Sequence, residues 1–319
     1  MDHLRRLGNS ISIPIPADEN AFTGRECPQP DCEGYFKIEL GTGLKGEGLP
    51  CHCPYCGHTA GHDHFWTKEQ IEYAKSVAMR KITDAFHKDL KKLEFDHKPK
   101  GAFGIGISMK VKLGRATPIH YYREKQLETE VVCVNCTLRY SVYGVFAFCP
   151  DCGQHNSSQI LEKNLELAEK ETSLAEHAPD DELREYLIAD ALENVVAAFD
   201  GFGRETCRVH AANSVDPAAA KSLSFQNLRG ADAKLLKLYG VQLSAQVPPD
   251  EWTLSVRCFQ KRHLLAHNMG VVDERYAAAT QDPNAVVGRK VTISQEEVGD
   301  LVAAVRRLGA ALSQSLSPL

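Results

Sequence analysis

Nine of the chain's eleven cysteines fall between residues 27 and 152, and most stand in short pairs. No other feature restricts the fold so strongly. "CPQPDC" contributes Cys27 and Cys32, and "CHCPYCGH" contributes Cys51, Cys53 and Cys56. "CVNC" and "CPDCG" then contribute Cys133, Cys136, Cys149 and Cys152. A soft metal ion in a tetrahedron needs four such ligands, and two short pairs on turns supply two corners each. The glycines that follow two closing cysteines, Gly57 and Gly153, suit the left-handed turn that aims backbone amides at thiolate sulfur.

In a chain of 319 residues this spacing points to metal in a reducing compartment rather than to a disulfide framework. The opening "MDHLRRLGNSISIPIPADEN" has no continuous apolar core of the secretory type, and no stretch approaches the roughly 18 apolar residues of a membrane span. The expectation is a cytoplasmic protein without a membrane segment.

The ligand sets expected are Cys27, Cys32, Cys53 and Cys56, then Cys133, Cys136, Cys149 and Cys152. Cys51 is left over. Both sets resemble the zinc-ribbon family, on the ligands and the strands between them alone. The resemblance implies two structural Zn2+ ions, each holding together a module too small for a core of its own. Four thiolates leave no open position for a water, so the ions are not expected to do chemistry. His52, His58, His62 and His64 show no compelling ligand spacing and are expected on the surface. "TLRYSVYGVFAF", broken by Gly144, carries a hairpin signal.

Composition divides the chain into four parts: a first ribbon over 20–66, a linking helix and basic β section over 67–125, a second ribbon over 126–156, and a helical half over 157–319. Thr67 and Gln70 form a capping box, and Ile71, Ala74, Ala78, Ile82, Ala85, Phe86 and Leu90 follow at helical spacing. Residues 88–125 hold ten Lys or Arg against four Asp or Glu, with Phe103, Tyr121 and Tyr122 interleaved. Such a section can hold a single strand of nucleic acid, with phosphates on cations and bases on rings. A solvated face over core aromatics is the plainer reading and is slightly favoured. A formal net charge of −5 excludes a protein that coats nucleic acid over its whole surface, but not a local basic patch.

From Ser157 the pattern turns helical. Helices are expected to about His177, from Asp181 to about Ala212, around Asp232–Tyr239, from Asp250 to about His267, and from Ser294 onward, where Glu297 completes a capping box. One stripe of the second runs through Leu183, Leu187, Ala191, Val195, Ala198 and Phe202. A strand-like "RKVTI" precedes the last. Cys207 and Cys258 sit in apolar helical settings and are expected in the core.

One stretch resists that apolar pattern. "CFQKRHLLAHNMG" places Arg262, His263 and His267 at the end of a helix, with Asn268 and Gly270 as stop residues. Arg262 and His267 are five apart, about 140° around an ideal helix. "RHLLAH" followed by "NMGVVDERY" resembles the signature of the HEPN superfamily (higher eukaryotes and prokaryotes nucleotide-binding). The resemblance is specific over that run and architectural over residues 160–319. It implies that Arg262 is the motif arginine, His263 its polar follower and His267 the motif histidine. It implies as well a homodimer through the helical bundle, with the two motifs facing each other, and a metal-independent ribonuclease of the defence or toxin kind. Arg257 with His263 is a second register of the same spacing.

Histidine can exchange protons near neutral pH, and arginine grips phosphate while staying charged. His267 is thus expected as acid or base, Arg262 as the phosphate cation, and His263 as an orienting group. A salt bridge from Arg262 or His267 to Asp273 or Glu274 is the plain alternative.

The fold class expected is α+β, mainly α: two small zinc-ribbon β modules followed by an antiparallel helical bundle. The function expected is a HEPN-type endoribonuclease whose ribbons recruit RNA or a protein partner. The alternatives are a non-catalytic zinc-ribbon adaptor and a nucleic-acid-binding regulator.

Overall fold

The computed structural model describes residues 2–46, 48–97, 107–112, 114 and 116–316. The fold is α+β, with small antiparallel sheets in the N-terminal part and helices thereafter. Residues 1–154 and 155–319 form two compact units.

In the first unit, β1 (Phe22–Glu26) and β2 (Tyr35–Glu39) form a hairpin around the first cysteine knuckle. β7 (Thr129–Val132) and β8 (Arg139–Val142) do the same around the third. β2 then pairs with β8, Ile38 opposite Tyr140, so the two hairpins share one four-stranded sheet in the order β1-β2-β8-β7. Neither hairpin has apolar surface enough for a core of its own, and the joint sheet supplies one. Phe36, Ile38, Leu138, Tyr140 and Val142 are all buried there. β3 (Pro50–His52) and β4 (Thr59–Gly61) form a separate pair around the second knuckle.

After Gly144, where φ is 76°, no regular strand follows, and the hairpin expected within "TLRYSVYGVFAF" is corrected. The amide of Phe148 instead donates to the carbonyl of Pro54, in the second knuckle, at 2.8 Å.

α1 (Asp2–Arg6) packs on α2 (Lys68–Lys91), and α2 starts with the expected capping box: Gln70 N–H donates to Thr67 Oγ1, and Thr67 N–H to Gln70 Oε1. Of its expected stripe only Ala85 is fully buried, while Ile71, Ile82 and Phe86 stay exposed. In the basic section, β5 (Phe95–His97) pairs with β6 (Ile107–Met109), and Phe103 lies outside the described residues. Tyr121 is exposed, whereas Tyr122 packs edge-on against Tyr73 of α2.

In the second unit, α3 (Ser157–Ala175) and α4 (Asp181–Val209) fold back on each other. α5 (Pro217–Lys221) and α6 (Leu228–Tyr239) lead to α7 (Pro249–Asn268), α8 (Glu274–Thr280) and α9 (Gln295–Leu316). α9 packs against α3, α4 and α7. It comes close enough that a Cβ on Gly309 would meet Leu161 at 2.7 Å. Ala191, Val195 and Phe202 of the α4 stripe are buried, while Leu183, in the first turn, is exposed. Cys207 and Cys258 are core residues, as expected. Ser294 receives the amide of Glu297 at 3.1 Å and so caps α9. "RKVTI" forms no strand; Lys290 makes a single bridge to Val271, and Val291 N–H donates to Gly270 O at 2.8 Å. α5 and α8 were not among the expected helices; Asp216 and Asp273 cap them.

Candidate functional site

The four cysteines of each expected set converge. All their sulfurs lie within 4.8 Å of one another, and among the described residues no histidine or carboxylate joins either group. Cys27 Sγ is 3.7 Å from Cys56 Sγ, and Cys32 Sγ is 3.7 Å from Cys53 Sγ. In the second cluster Cys133 and Cys152 are 3.7 Å apart, and Cys136 and Cys149 are 3.5 Å apart. A tetrahedron with metal–sulfur bonds of about 2.3 Å has its sulfurs about 3.8 Å apart, so both sets fit a four-coordinate soft ion.

Each knuckle closes in the same way. The residue after its last cysteine has a positive φ: Glu33 at 43°, Gly57 at 72°, Thr137 at 65° and Gly153 at 70°. The amides of Gly57, Thr137 and Gly153 donate to the carbonyls of Cys53, Cys133 and Cys149 at 2.9–3.0 Å. Other amides reach sulfur. Burial pushes the Cys27 and Cys136 thiols up to about 11, while amides of Gln29 and Leu138 work against it. Burial is outweighed at Cys56 by the amide of His58 and at Cys152 by the side chain of Asn135 and the amide of Gln154, with neighbouring thiols adding at both, and both thiols fall below the ordinary value. These donors are built to receive thiolate charge, which a divalent ion would largely neutralise.

Cys51 belongs to neither set. It is fully buried on β3, and burial pushes its thiol up to about 12, with Arg25 pulling the other way. His64 is exposed as expected, whereas His52, His58 and His62 are half-buried. His52 bridges the two modules: its amide donates to Pro150 O at 2.7 Å, and its ring packs over Gly153. His58 Nδ1 lies 2.9 Å from Gln29 Nε2, tying the first two knuckles together.

The polar run of α7 is helical through Asn268, with Met269 at φ 53° as the cap. His263 and His267 are exposed and four residues apart, with ring centroids 4.7 Å from each other. Arg262 is directed elsewhere. Its Nε stands 4.0 Å from a carboxylate oxygen of Glu193 on α4, is buried, and has no hydrogen-bond partner among the described residues. Within one chain the two imidazoles therefore meet, and the guanidinium does not join them. Asp273 receives Asn268 Nδ2 at 2.9 Å and the amide of Tyr276, so it serves the α7–α8 turn.

Arg257 is committed to a buried network that sequence reasoning missed. Its Nε donates to Glu297 at 3.1 Å, and Lys261 Nζ donates to both oxygens of the same carboxylate at 2.9 and 2.7 Å and to Thr292 O at 2.7 Å. A lysine on an apolar helix reads as an exposed residue, and only the approach of α9 reveals its partner.

No family model matches the chain, and neither the curated proteins nor the solved structures compared with it give a match. Fold and site thus define a protein with two four-cysteine clusters in a small-sheet unit and a helical unit bearing a histidine pair. Among the described residues no helix is long and apolar enough to cross a membrane.

Proposed function

We propose that the chain is a homodimeric, metal-independent endoribonuclease of the HEPN type, with two zinc-stabilised modules that recruit RNA or a protein partner. The observation that carries this reading is the histidine pair on the exposed last turns of α7, with Arg262 on the same helix but turned toward Glu193 of α4, its Nε unsatisfied among the described residues. Cleavage inside an RNA chain needs a base for the 2′-hydroxyl, an acid for the leaving 5′-oxygen and a cation for the charged phosphorane. His267 would move the protons, His263 would orient it or take the second transfer, and Arg262 would hold the phosphate. Because Arg262 leans toward α4, a two-fold partner that brings a second Arg262 and His267 to the same groove would complete the set.

The test is incubation of cellular RNA with the full protein in the presence of a chelator too weak to strip the four-cysteine sites. Cleavage by wild type, lost in both Arg262→Ala and His267→Ala while the dimer persists, is the expected result. Equal cleavage by all three proteins, or none by wild type, overturns the reading.

The ions are zinc in this proposal, since four thiolates in a closed tetrahedron suit Zn2+ and leave it no catalytic position. Metal analysis should return two equivalents per chain. A second reading, a non-catalytic adaptor, draws on the contact of Arg262 with Glu193, which would make the arginine a helix-packing group. It predicts dimers without cleavage, and a partner bound through the N-terminal unit.

A further inference from the structure

A cavity of about 550 Å³ opens in the N-terminal unit between the end of β2, the glycine-rich segment after it and the turn after β4. Part of its wall is Arg25, which is 3 % exposed. Its Nη1 donates to the carbonyl of Gly24 at 2.8 Å, and its guanidinium stacks 4.6 Å above the Trp66 ring. Its Nε is buried and, among the described residues, donates to nothing. Among them the carboxylate acting on the guanidinium, Glu124, is not within ion-pair distance. Glu124, held by Gln70, attracts it only from beyond contact distance, so the Nε keeps an unmet hydrogen bond, and a cation beside an open cavity is where an anion supplies one.

The rest of the wall restricts what the anion is attached to. Gly41 and Gly43 hold φ of 93° and 82°, conformations that side chains resist. The segment is fastened on both sides: Thr42 Oγ1 donates to Glu39 O at 2.7 Å and receives the Arg139 amide at 3.0 Å, and Leu44 N–H donates to Asp151 at 2.9 Å. It is therefore preorganised, with small residues that let a ligand approach the backbone. Apolar side chains of Ile38, Leu44 and Leu138 offer a surface for a flat ring. Three carboxylates face the same cavity: Glu39 is paired with Arg139, while Asp63 and Asp151 would accept from hydroxyl or amino donors. His62, held below its ordinary pKa chiefly by burial, then by Arg25, adds a neutral polar group.

We infer that this cavity binds a nucleoside monophosphate moiety, with its phosphate at Arg25, its ring against the leucine wall and its donors toward the two aspartates. The volume lies in the range of pockets that enclose such a ligand. The moiety has two sources, a free nucleotide or the 5′-phosphorylated end of an RNA. The site is separate from the α7 histidines and does not depend on the ribonuclease reading.

The test is titration of the full, zinc-loaded protein with adenosine 5′-monophosphate, adenosine and inorganic phosphate, followed by calorimetry and by the NMR amide signals of Gly41, Gly43 and Gly46. Adenosine 5′-monophosphate should shift those signals and bind at least about tenfold more tightly than either fragment. Arg25→Met should weaken it by at least about tenfold, the loss expected for a hydrogen bond to a charged group. His62→Ala, at a half-buried turn, is a second variant if Arg25→Met fails to keep its zinc. A 5′-phosphorylated dinucleotide compared with its 5′-hydroxyl form separates the sources: preference for the phosphorylated end assigns RNA, and exclusive binding of the mononucleotide assigns the free ligand. No shift at the glycine amides at millimolar nucleotide overturns the inference. So does binding that neither substitution weakens, or an Arg25→Met protein that loses zinc where wild type shows no nucleotide binding.

Discussion

Ile38 of β2 stands directly opposite Tyr140 of β8, both fully buried, and through this pair the two metal modules share a sheet. Structural metal binding is worth on the order of 10 kcal/mol in small domains and is inseparable from their folding. Cys136→Ser should therefore damage both modules rather than one. The expected result is a zinc content below one equivalent and a single thermal transition for the N-terminal unit. A stable one-zinc protein with the first cluster intact would show that the modules are independent.

Thr137 holds a φ of 65° directly after Cys136, where two of the other knuckles carry glycine. A left-handed conformation costs a residue with a Cβ about 1–2 kcal/mol, and branching at Cβ does not help. Thr137→Gly keeps the amide bond to Cys133 O. It should stabilise the N-terminal unit by about 1 kcal/mol, less the added entropy of the unfolded glycine. A raised unfolding temperature with unchanged zinc content checks this, and a lowered one contradicts it.

Lys261 is 4 % exposed and its ammonium is satisfied by Glu297 and Thr292. Removing one partner of a buried pair costs about 3–5 kcal/mol when the other charge is left uncompensated, and Arg257, which still holds Glu297, keeps the loss at the low end of that range. Lys261→Met should cost that much in urea unfolding followed by far-UV circular dichroism. Lys261→Met with Glu297→Leu, which also releases the half-buried Arg257, should recover part of the loss, and a double variant as unstable as the single one would refute the assignment.

Glu205 lies at the end of α4 with Arg208 at 2.6 Å and His155 at 3.1 Å. Burial opposes its ionisation, but hydrogen bonds from Arg208 and His155 outweigh it and hold the carboxyl down at about 2. The folded state lowers this pKa, so the stabilisation is complete above the ordinary carboxylate value near 4.5 and is lost as pH falls toward 2. At 1.36 kcal/mol per pKa unit it reaches at most about 3 kcal/mol, and less because Arg208 is half exposed. Glu205→Gln should lower stability at pH 7 and flatten its decline in acid. Parallel acid profiles for the two proteins would contradict this origin.

Both ligand sets were legible as spacing, because a tetrahedral ion demands paired cysteines on tight turns whatever surrounds them. The helices of the C-terminal half were legible as apolar periodicity and caps, with Asp181, Ser294 and the Thr67–Gln70 box close to their observed places. The four-stranded sheet was not, since the pairing of Ile38 with Tyr140 joins residues about a hundred positions apart and leaves no local mark. Nor was the positive φ at Glu33 and Thr137, which the closing turn imposes on residues that do not prefer it.

At α7 the local sequence determined a helix with a polar end. Tertiary packing alone decided which polar groups meet there. Helical geometry stacks His263 on His267 at four residues, while α4 draws Arg262 and α9 draws Arg257 and Lys261 to opposite charges. Local propensity acts over a few residues and is written in them. The partner of a buried charge depends on which element arrives from elsewhere in the chain, and only the folded structure supplies that.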